Sequence, residues 1–234
     1  MLTELKEAVF KANLDLAKSG LVILTFGNVS GIDRRRNIVA IKPSGVPYDS
    51  LKADDIVLVD LDGNVIEGWL SPSSDTATHA EIYKAFEEVG GVAHAHSAYA
   101  TMFAQAQREI LCFGTTHADQ FHGPVPVTRL LAEAEVAGAY ERNTGRIIVE
   151  RFAGLDPLEV PAILVAGHGP FTWGRSPAEA VLTALILEQT AKMAFGSMAL
   201  NPRIGPIDAC ILEKHYHRKH GPDAYYGQKK EGGQ

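Results

Sequence analysis

The chain has 234 residues, of which 46% are hydrophobic, 21% charged and 8% aromatic, a globular mixture that excludes collagen-like, disordered and disulfide-miniprotein classes. With 22 Lys+Arg against 28 Asp+Glu the formal net charge is −6, and no long basic run offers a nucleic-acid groove. Cys112 and Cys210 lie far apart and outside any CxxC pattern, so they read as reduced thiols of a cytoplasmic protein.

The N-terminus carries Glu4, Lys6 and Glu7 without an apolar core, unlike a signal peptide. Leu5, Val9, Ala12 and Leu16 fall at helical spacing and predict an amphipathic helix ending near Ser19-Gly20. Leu21–Phe26 reads as a buried strand broken by Gly27-Asn28, with Ile38–Ile41 as its hairpin partner. Ile56–Leu61 and Val65–Glu67 flank Asp62-Gly63-Asn64, a tight hairpin signal. Thr78 followed by Glu81 predicts a helix through about Glu88. Gly90-Gly91 ends it, and Val92–His96 is a short strand, followed by a helix near Ser97–Gln107. Strands are expected at Ile147–Val149 and over the apolar run Ala162–Ala166. Ser176-Pro177-Ala178-Glu179 combines an N-cap, proline at the first helical position and a capping-box glutamate, so a long helix starts there. It carries Glu179, Glu188, Gln189 and Lys192 and is not a membrane span. A last helix covers about Ile207–His220 and stops at Gly221-Pro222. The order suggests one sheet covered by helices.

Val92-Ala93-His94-Ala95-His96 is the sharpest local feature. On a strand, residues i and i+2 share a face, so His94 and His96 project together. A divalent metal, which takes neutral imidazole nitrogens, suits such a pair; a hydrogen-bonded pair is the plain alternative. His168, between Gly167 and Gly169 after an apolar run, is a third ligand candidate or a turn residue. Asp75 is the best nearby carboxylate, and it also suits a helix N-cap. Gly27-Asn28-Val29-Ser30, Lys42-Pro43-Ser44-Gly45 and Ser73-Ser74-Asp75 are turns rich in small donors, and Lys42 adds a charge that suits a phosphate. No GxGxxG or GxxxxGK[ST] pattern occurs, which disfavours nucleotide folds. By composition, the histidine-rich tail from His215 reads as a solvated helix end, with Tyr225 and Tyr226 as packing residues.

These segments, together with Pro72-Ser73-Ser74-Asp75-Thr76-x-Thr78-His79, His94-x-His96-Ser97, Gly114-Thr115-Thr116-His117-Ala118-Asp119 and Lys214-His215-Tyr216…Tyr225-Tyr226-Gly227-Gln228, resemble the class II aldolase/epimerase family. The Thr-Thr-His-Ala-Asp and Tyr-Tyr-Gly-Gln segments are similar to its epimerase branch. The resemblance runs from Asn13 to Gln228. It implies a three-layer α/β/α single domain around a largely antiparallel sheet, spanning residues 1–228 with 229–234 as a tail. It implies that His94, His96 and His168 hold one divalent metal, zinc or alternatively manganese, with Asp75 as a further ligand or close neighbour. Gly27, Asn28, Lys42, Ser44, Gly45, Ser73 and Ser74 are implied to bind a substrate phosphate. Asp119 and Tyr226 are implied to be the catalytic acid/base pair, supplied by the neighbouring subunit of a C4 homotetramer, with Thr115, Glu141 and His215 in support. The implied activity is cytoplasmic epimerisation between L-ribulose 5-phosphate and D-xylulose 5-phosphate in arabinose catabolism, by C3–C4 retro-aldol cleavage through a metal-stabilised enediolate. An aldolase that releases its fragments, a catalytically silent scaffold and an iron oxygenase built on two histidines and Asp75 are the alternatives. Phe26 stands where the family often has tryptophan, which bears on packing behind the phosphate loop.

Overall fold

Helix α1 (Leu2–Lys18) buries Val9, Ala12 and Leu16 on one stripe, as their spacing requires. The same stripe buries Asn13, whose side chain is fully paired: Nδ2 donates to the Val9 and Val29 carbonyls and Oδ1 accepts from the Val29 amide. An asparagine can be buried here because every polar contact it gives up to water is replaced. Those bonds pin α1 to the start of β1 (Asn28–Asp33). The computed structural model describes residues 2–221 and 224–226; the expected boundary at residue 228 and the tail 229–234 lie outside the described residues.

The sheet also contains β2 (Ile38–Ile41), β3 (Val57–Asp60), β4 (Val65–Glu67), β5 (Gly91–His94), β6 (Ala162–Leu164) and β7 (Pro170–Gly174). Its order is β4-β3-β2-β1-β5-β7-β6, and each neighbouring pair is antiparallel. Helices α2 (Thr76–Ala85) and α6 (Tyr140–Arg151) cover one face, where Val57, Ile82, Tyr83, Ile147, Ile148 and Trp173 share a buried cluster. On the other face α1 and α7 (Pro177–Leu200) enclose Leu16, Val29, Ala93, Ala180 and Val181. There α3 (Ala98–Gln105) packs Ala100 and Phe103 against Leu187 and Ala191 of α7. Each valine, leucine, isoleucine or phenylalanine side chain among these taken fully out of water contributes about 1.5–3 kcal/mol. The three layers and the antiparallel sheet are those expected. Three further helices, α4 (Thr115–Ala118), α5 (Glu133–Ala137) and α8 (Ala209–His217), complete the elements used below.

Several local expectations are corrected. Leu21–Phe26 is not a strand: Ile23, Leu24 and Phe26 are 61%, 79% and 52% exposed, and Leu24 sits in the left-handed region at φ 55°. The strand begins instead at Asn28, within the segment read as a turn, and it is this strand that pairs with β2. Ile147–Val149 lies inside α6, whose buried Thr144, Ile147 and Ile148 follow helical spacing toward α2. Helix α2 begins at Thr76, before the expected Thr78, whose hydroxyl donates to the Glu141 carbonyl (2.6 Å) instead of capping. By contrast, Ser176 accepts the Glu179 amide at the start of α7 as its sequence requires. Both cysteines are unpaired, and no helix among the described residues is long and apolar enough to cross a membrane.

Candidate active site

In the antiparallel register, Asn28 lies opposite His94 on β5, and His94 lies opposite Phe171 on β7. The alternation of a strand therefore sends Asn28, Ser30 and His94 to one face. That face is covered by α2, where Ser30 bonds His79 Nδ1 (2.7 Å) and the Tyr83 hydroxyl (2.8 Å). His94 stacks on Phe171 with ring centroids 4.2 Å apart, and its Nδ1–H donates to the Pro170 carbonyl (2.9 Å). A proton held on Nδ1 leaves the Nε2 lone pair free. The strand expected over Val92–His96 is Gly91–His94, so His96 stands two residues beyond its end, with its Nε2 3.1 Å from His94 Nε2.

His168 enters from the turn between β6 and β7, where Gly167 adopts φ 74°. Its ring lies 4.8 Å from that of His94 and 4.9 Å from that of His96. One nitrogen from each of the three imidazoles lies within 4.8 Å of the others. His168 Nδ1 is buried without a hydrogen-bond partner among the described residues, a costly arrangement unless something else occupies the site. Burial, followed by the neighbouring imidazoles, pushes the pKa of His168 down to about 4. The same causes lower that of His96. Neutral imidazoles converging on one point fit a divalent metal.

Asp75 stands at the N-cap of α2 but makes no capping bond there. Its Oδ2 accepts from Asn28 Nδ2 (2.7 Å) instead. Burial alone raises the pKa of this carboxyl, but His94, His79 and the Asn28 bond outweigh it and hold the group below the usual range. Asp75 is thus a carboxylate facing the imidazoles, a suitable charge partner for a cation.

The phosphate candidates sit on two adjoining turns. Ser44 N–H donates to the Ser71 carbonyl (2.9 Å), and Ser73 N–H donates to the Lys42 carbonyl (3.1 Å). Asn28 Nδ2 also reaches Ser73 Oγ (3.1 Å) and so links these turns to Asp75. The Lys42 side chain is almost wholly buried, with Nζ 4.7 Å from the centre of the Tyr48 ring. Burial lowers the pKa of this ammonium to about 8. Tyr48 in turn donates to the Gly27 carbonyl (2.8 Å). Gly27 needs its missing side chain: it adopts φ 96°, and a Cβ there would lie 2.8 Å from the His94 carbonyl oxygen.

One cavity of about 410 Å³ is lined by Gly27, Asn28, Lys42, Ser44, Gly45, Ser73, Ser74, Asp75, His94, His96 and His168. All expected metal and phosphate residues therefore meet in one place, while Ser30 is withdrawn beneath it. The cavity is also lined by Thr25, Phe26, Tyr140 and Glu141. Sequence reading missed Tyr140 because α6 was expected to be partly a strand. Phe26 is on the cavity wall, 6.2 Å from the His96 ring, and not behind the phosphate loop.

Asp119 and Tyr226 are near each other but do not line that cavity. Asp119 follows α4 and is gripped from the α8 end of the chain. Arg218 donates twice to it (2.9 and 2.6 Å) and His215 once (3.0 Å), with Lys219 Nζ 3.5 Å away. Partial burial raises the pKa of this carboxyl, but the Arg218 and His215 bonds prevail and hold it below the ordinary range. The Tyr226 ring lies under the Arg218 and Lys219 cations at 4.9 and 4.6 Å. Tyr225 and Tyr226 are 62% and 60% exposed, which overturns their reading as packing residues. The basic Arg218-Lys219 pair is an anchor for Asp119, not only a solvated helix end.

Residues 7–195 match the family described as Class II Aldolase and Adducin N-terminal domain. The chain belongs to this family. Within the class II aldolase family, the chain is 53% identical over 226 residues to "L-ribulose-5-phosphate 4-epimerase UlaF" of Salmonella paratyphi C (strain RKS4594), covering 97% of this chain and 99% of the relative. The same figures hold for the protein of that name from Salmonella choleraesuis (strain SC-B67). Among solved structures, an L-fuculose 1-phosphate aldolase shares the fold with a TM-score of 0.77 at 24% identity, covering 92% of this chain and 95% of the other. The L-fuculose 1-phosphate aldolase from Glaciozyma antarctica PI12 gives a TM-score of 0.76 at 21% identity, covering 95% and 84%. The imidazole triad fits the divalent metal on which class II aldolases depend.

Proposed function

We propose that this chain is an L-ribulose-5-phosphate 4-epimerase, interconverting L-ribulose 5-phosphate and D-xylulose 5-phosphate. The observation that carries this reading is a single cavity joining the His94/His96/His168 triad to Lys42 and two serine turns, in a chain 53% identical to proteins named for that reaction.

C4 of a ketopentose phosphate is not α to the C2 carbonyl, so its configuration is not readily inverted by removing its proton. Breaking and remaking C3–C4 achieves the inversion. His94, His96 and His168, with Asp75 beside them, would hold a zinc or manganese ion, which would supply Lewis acidity there. Lys42, Ser44, Gly45, Ser73 and Ser74, with Gly27 and Asn28 behind them, anchor the phosphate. The glycolaldehyde phosphate fragment then stays in the cavity while its aldehyde turns over and presents the other face. Proton exchange at the C4 oxygen, from opposite sides, falls to Asp119 and Tyr226. Arg218 and His215 keep Asp119 ionised.

In this reading Asp119 and Tyr226 act in the cavity of a neighbouring chain of a cytoplasmic C4 homotetramer, with Thr115 and His215 supporting them and Glu141 on the receiving wall. Their position off the cavity of their own chain supports that assignment. Residues 1–228 are taken as one catalytic domain. The test is to incubate metal-replete protein with L-ribulose 5-phosphate and follow D-xylulose 5-phosphate, beside a chelated control and Asp119→Asn. Chelator-sensitive epimerisation that collapses in the variant is expected. Free glycolaldehyde phosphate as the main product would move the chain to the aldolases, and no turnover with metal bound would refute the substrate.

A further inference from the structure

A second group of metal-ligating side chains lies away from the triad, where α8 meets the segment that follows α4. Glu213 and His217 are one helical turn apart on α8, so their side chains project side by side. His122 comes from the other segment. One ligand atom from each of His122, Glu213 and His217 lies within 4.8 Å of the others. His122 Nε2 is 2.8 Å from Glu213 Oε1, and His217 Nε2 is 3.1 Å from Glu213 Oε2.

His122 is held from behind as metal-binding histidines are. Its backbone N–H donates to the Glu159 carbonyl (2.9 Å), and its Nδ1 lies 3.0 Å from the Glu159 carboxylate. A carboxylate on Nδ1 holds the proton there and orients the ring, so an ion has only to displace the Nε2 proton that faces Glu213. The ring is further clamped by stacking on Tyr216 at 4.5 Å. Glu213 and His217 have side chains 50% and 59% exposed, so an ion can reach them from solvent.

We propose that His122, Glu213 and His217 form a second divalent transition-metal site, separate from the His94/His96/His168 centre, with Glu159 as its positioning carboxylate. Two imidazoles and a carboxylate suit a borderline ion such as zinc, leaving a coordination position open to water. The ion ties α8 to the segment that carries Asp119. The same helix bears His215, and Arg218 follows it; both bind the Asp119 carboxylate. A stack continues from Tyr216 to His220 at 4.4 Å, and His220 Nε2–H donates to the Asp119 carbonyl (3.0 Å). Occupancy thus braces the support of Asp119 without touching the triad.

The test counts zinc bound by the whole protein. Zinc is titrated calorimetrically into apo protein, with elemental analysis after gel filtration and the cobalt absorption spectrum as a second readout. Two equivalents per chain are expected for the natural sequence. His217→Ala, a change to a good helix former at an exposed position, should keep one equivalent and lose the other. Glu159→Gln should weaken the second equivalent by on the order of 10- to 100-fold. His96→Ala should do the reverse, impairing the triad and sparing the second site. A single equivalent in the natural protein, or a second one that persists in His217→Ala, overturns the proposal.

Discussion

Lys42 reaches the cavity from inside the protein, and its burial makes its charge sensitive to pH. With its pKa lowered to about 8, the side chain is an ammonium below that pH and an amine above it. The sign for phosphate binding follows: kcat/KM for a sugar phosphate should fall as pH rises through about 8. Lys42→Gln should remove that limb and raise KM roughly 10- to 100-fold, the equivalent of one charge-assisted hydrogen bond. A pH profile of both proteins checks this, and an unchanged limb in the variant would reject Lys42 as its source. Gly27 acts through its backbone. Gly27→Ala combines a left-handed φ with a Cβ pressed against the His94 carbonyl, and should cost about 1–3 kcal/mol in urea unfolding. Both residues were named from sequence as members of small turns. What sequence did not show was that Tyr48 connects them, lying beside the Lys42 ammonium and donating to the Gly27 carbonyl.

Elements whose ends carry local chemistry were legible. Helix α7 starts at Pro177 because Ser176 and Glu179 form the cap that their spacing announces. Ser176→Ala should destabilise the protein by about 1 kcal/mol, measurable as a lower denaturation midpoint with an unchanged slope. Elements defined only by apolar content were not legible. Leu21–Phe26 and Ile147–Val149 both read as strands, yet the first is an irregular segment that buries Leu21 and exposes Ile23, Leu24 and Phe26, and the second lies in a helix. A short apolar run is equally compatible with a strand, a buried helix turn or a covered loop, and the decision falls to whatever packs against it. For α6 that partner is α2, reached across more than fifty residues of sequence, as in the Thr78 bond to the Glu141 carbonyl. The His94/His96 pair was readable for the opposite reason. Strand alternation is local and sets the His94 ring toward α2, and His96, two residues on and just past the end of β5, keeps to the same side.

At the scale of the whole molecule, the two halves of the proposed chemistry occupy different places on one chain: the triad in the cavity, and Asp119 with Tyr226 on the α4/α8 side. If neighbouring chains complete each other's sites, two inactive variants should rescue one another. Asp119→Asn keeps its triad and His96→Ala keeps its Asp119. Equal mixing after dissociation and reassembly should restore about a quarter of natural activity, the share of subunit junctions that pair an intact triad with an intact Asp119. No recovery in verified mixed oligomers would place the whole reaction within one chain. The sequence by itself determined the cap of α7 and the hairpin that joins β3 to β4, because each depends on neighbours a few residues away. Only the tertiary structure decided that His168 joins the pair, that Asp75 turns from its cap toward Asn28, and that Arg218 holds Asp119. Those contacts join residues some fifty to a hundred positions apart in the chain, and their geometry exists only once the sheet has set its register and the helices have closed over it.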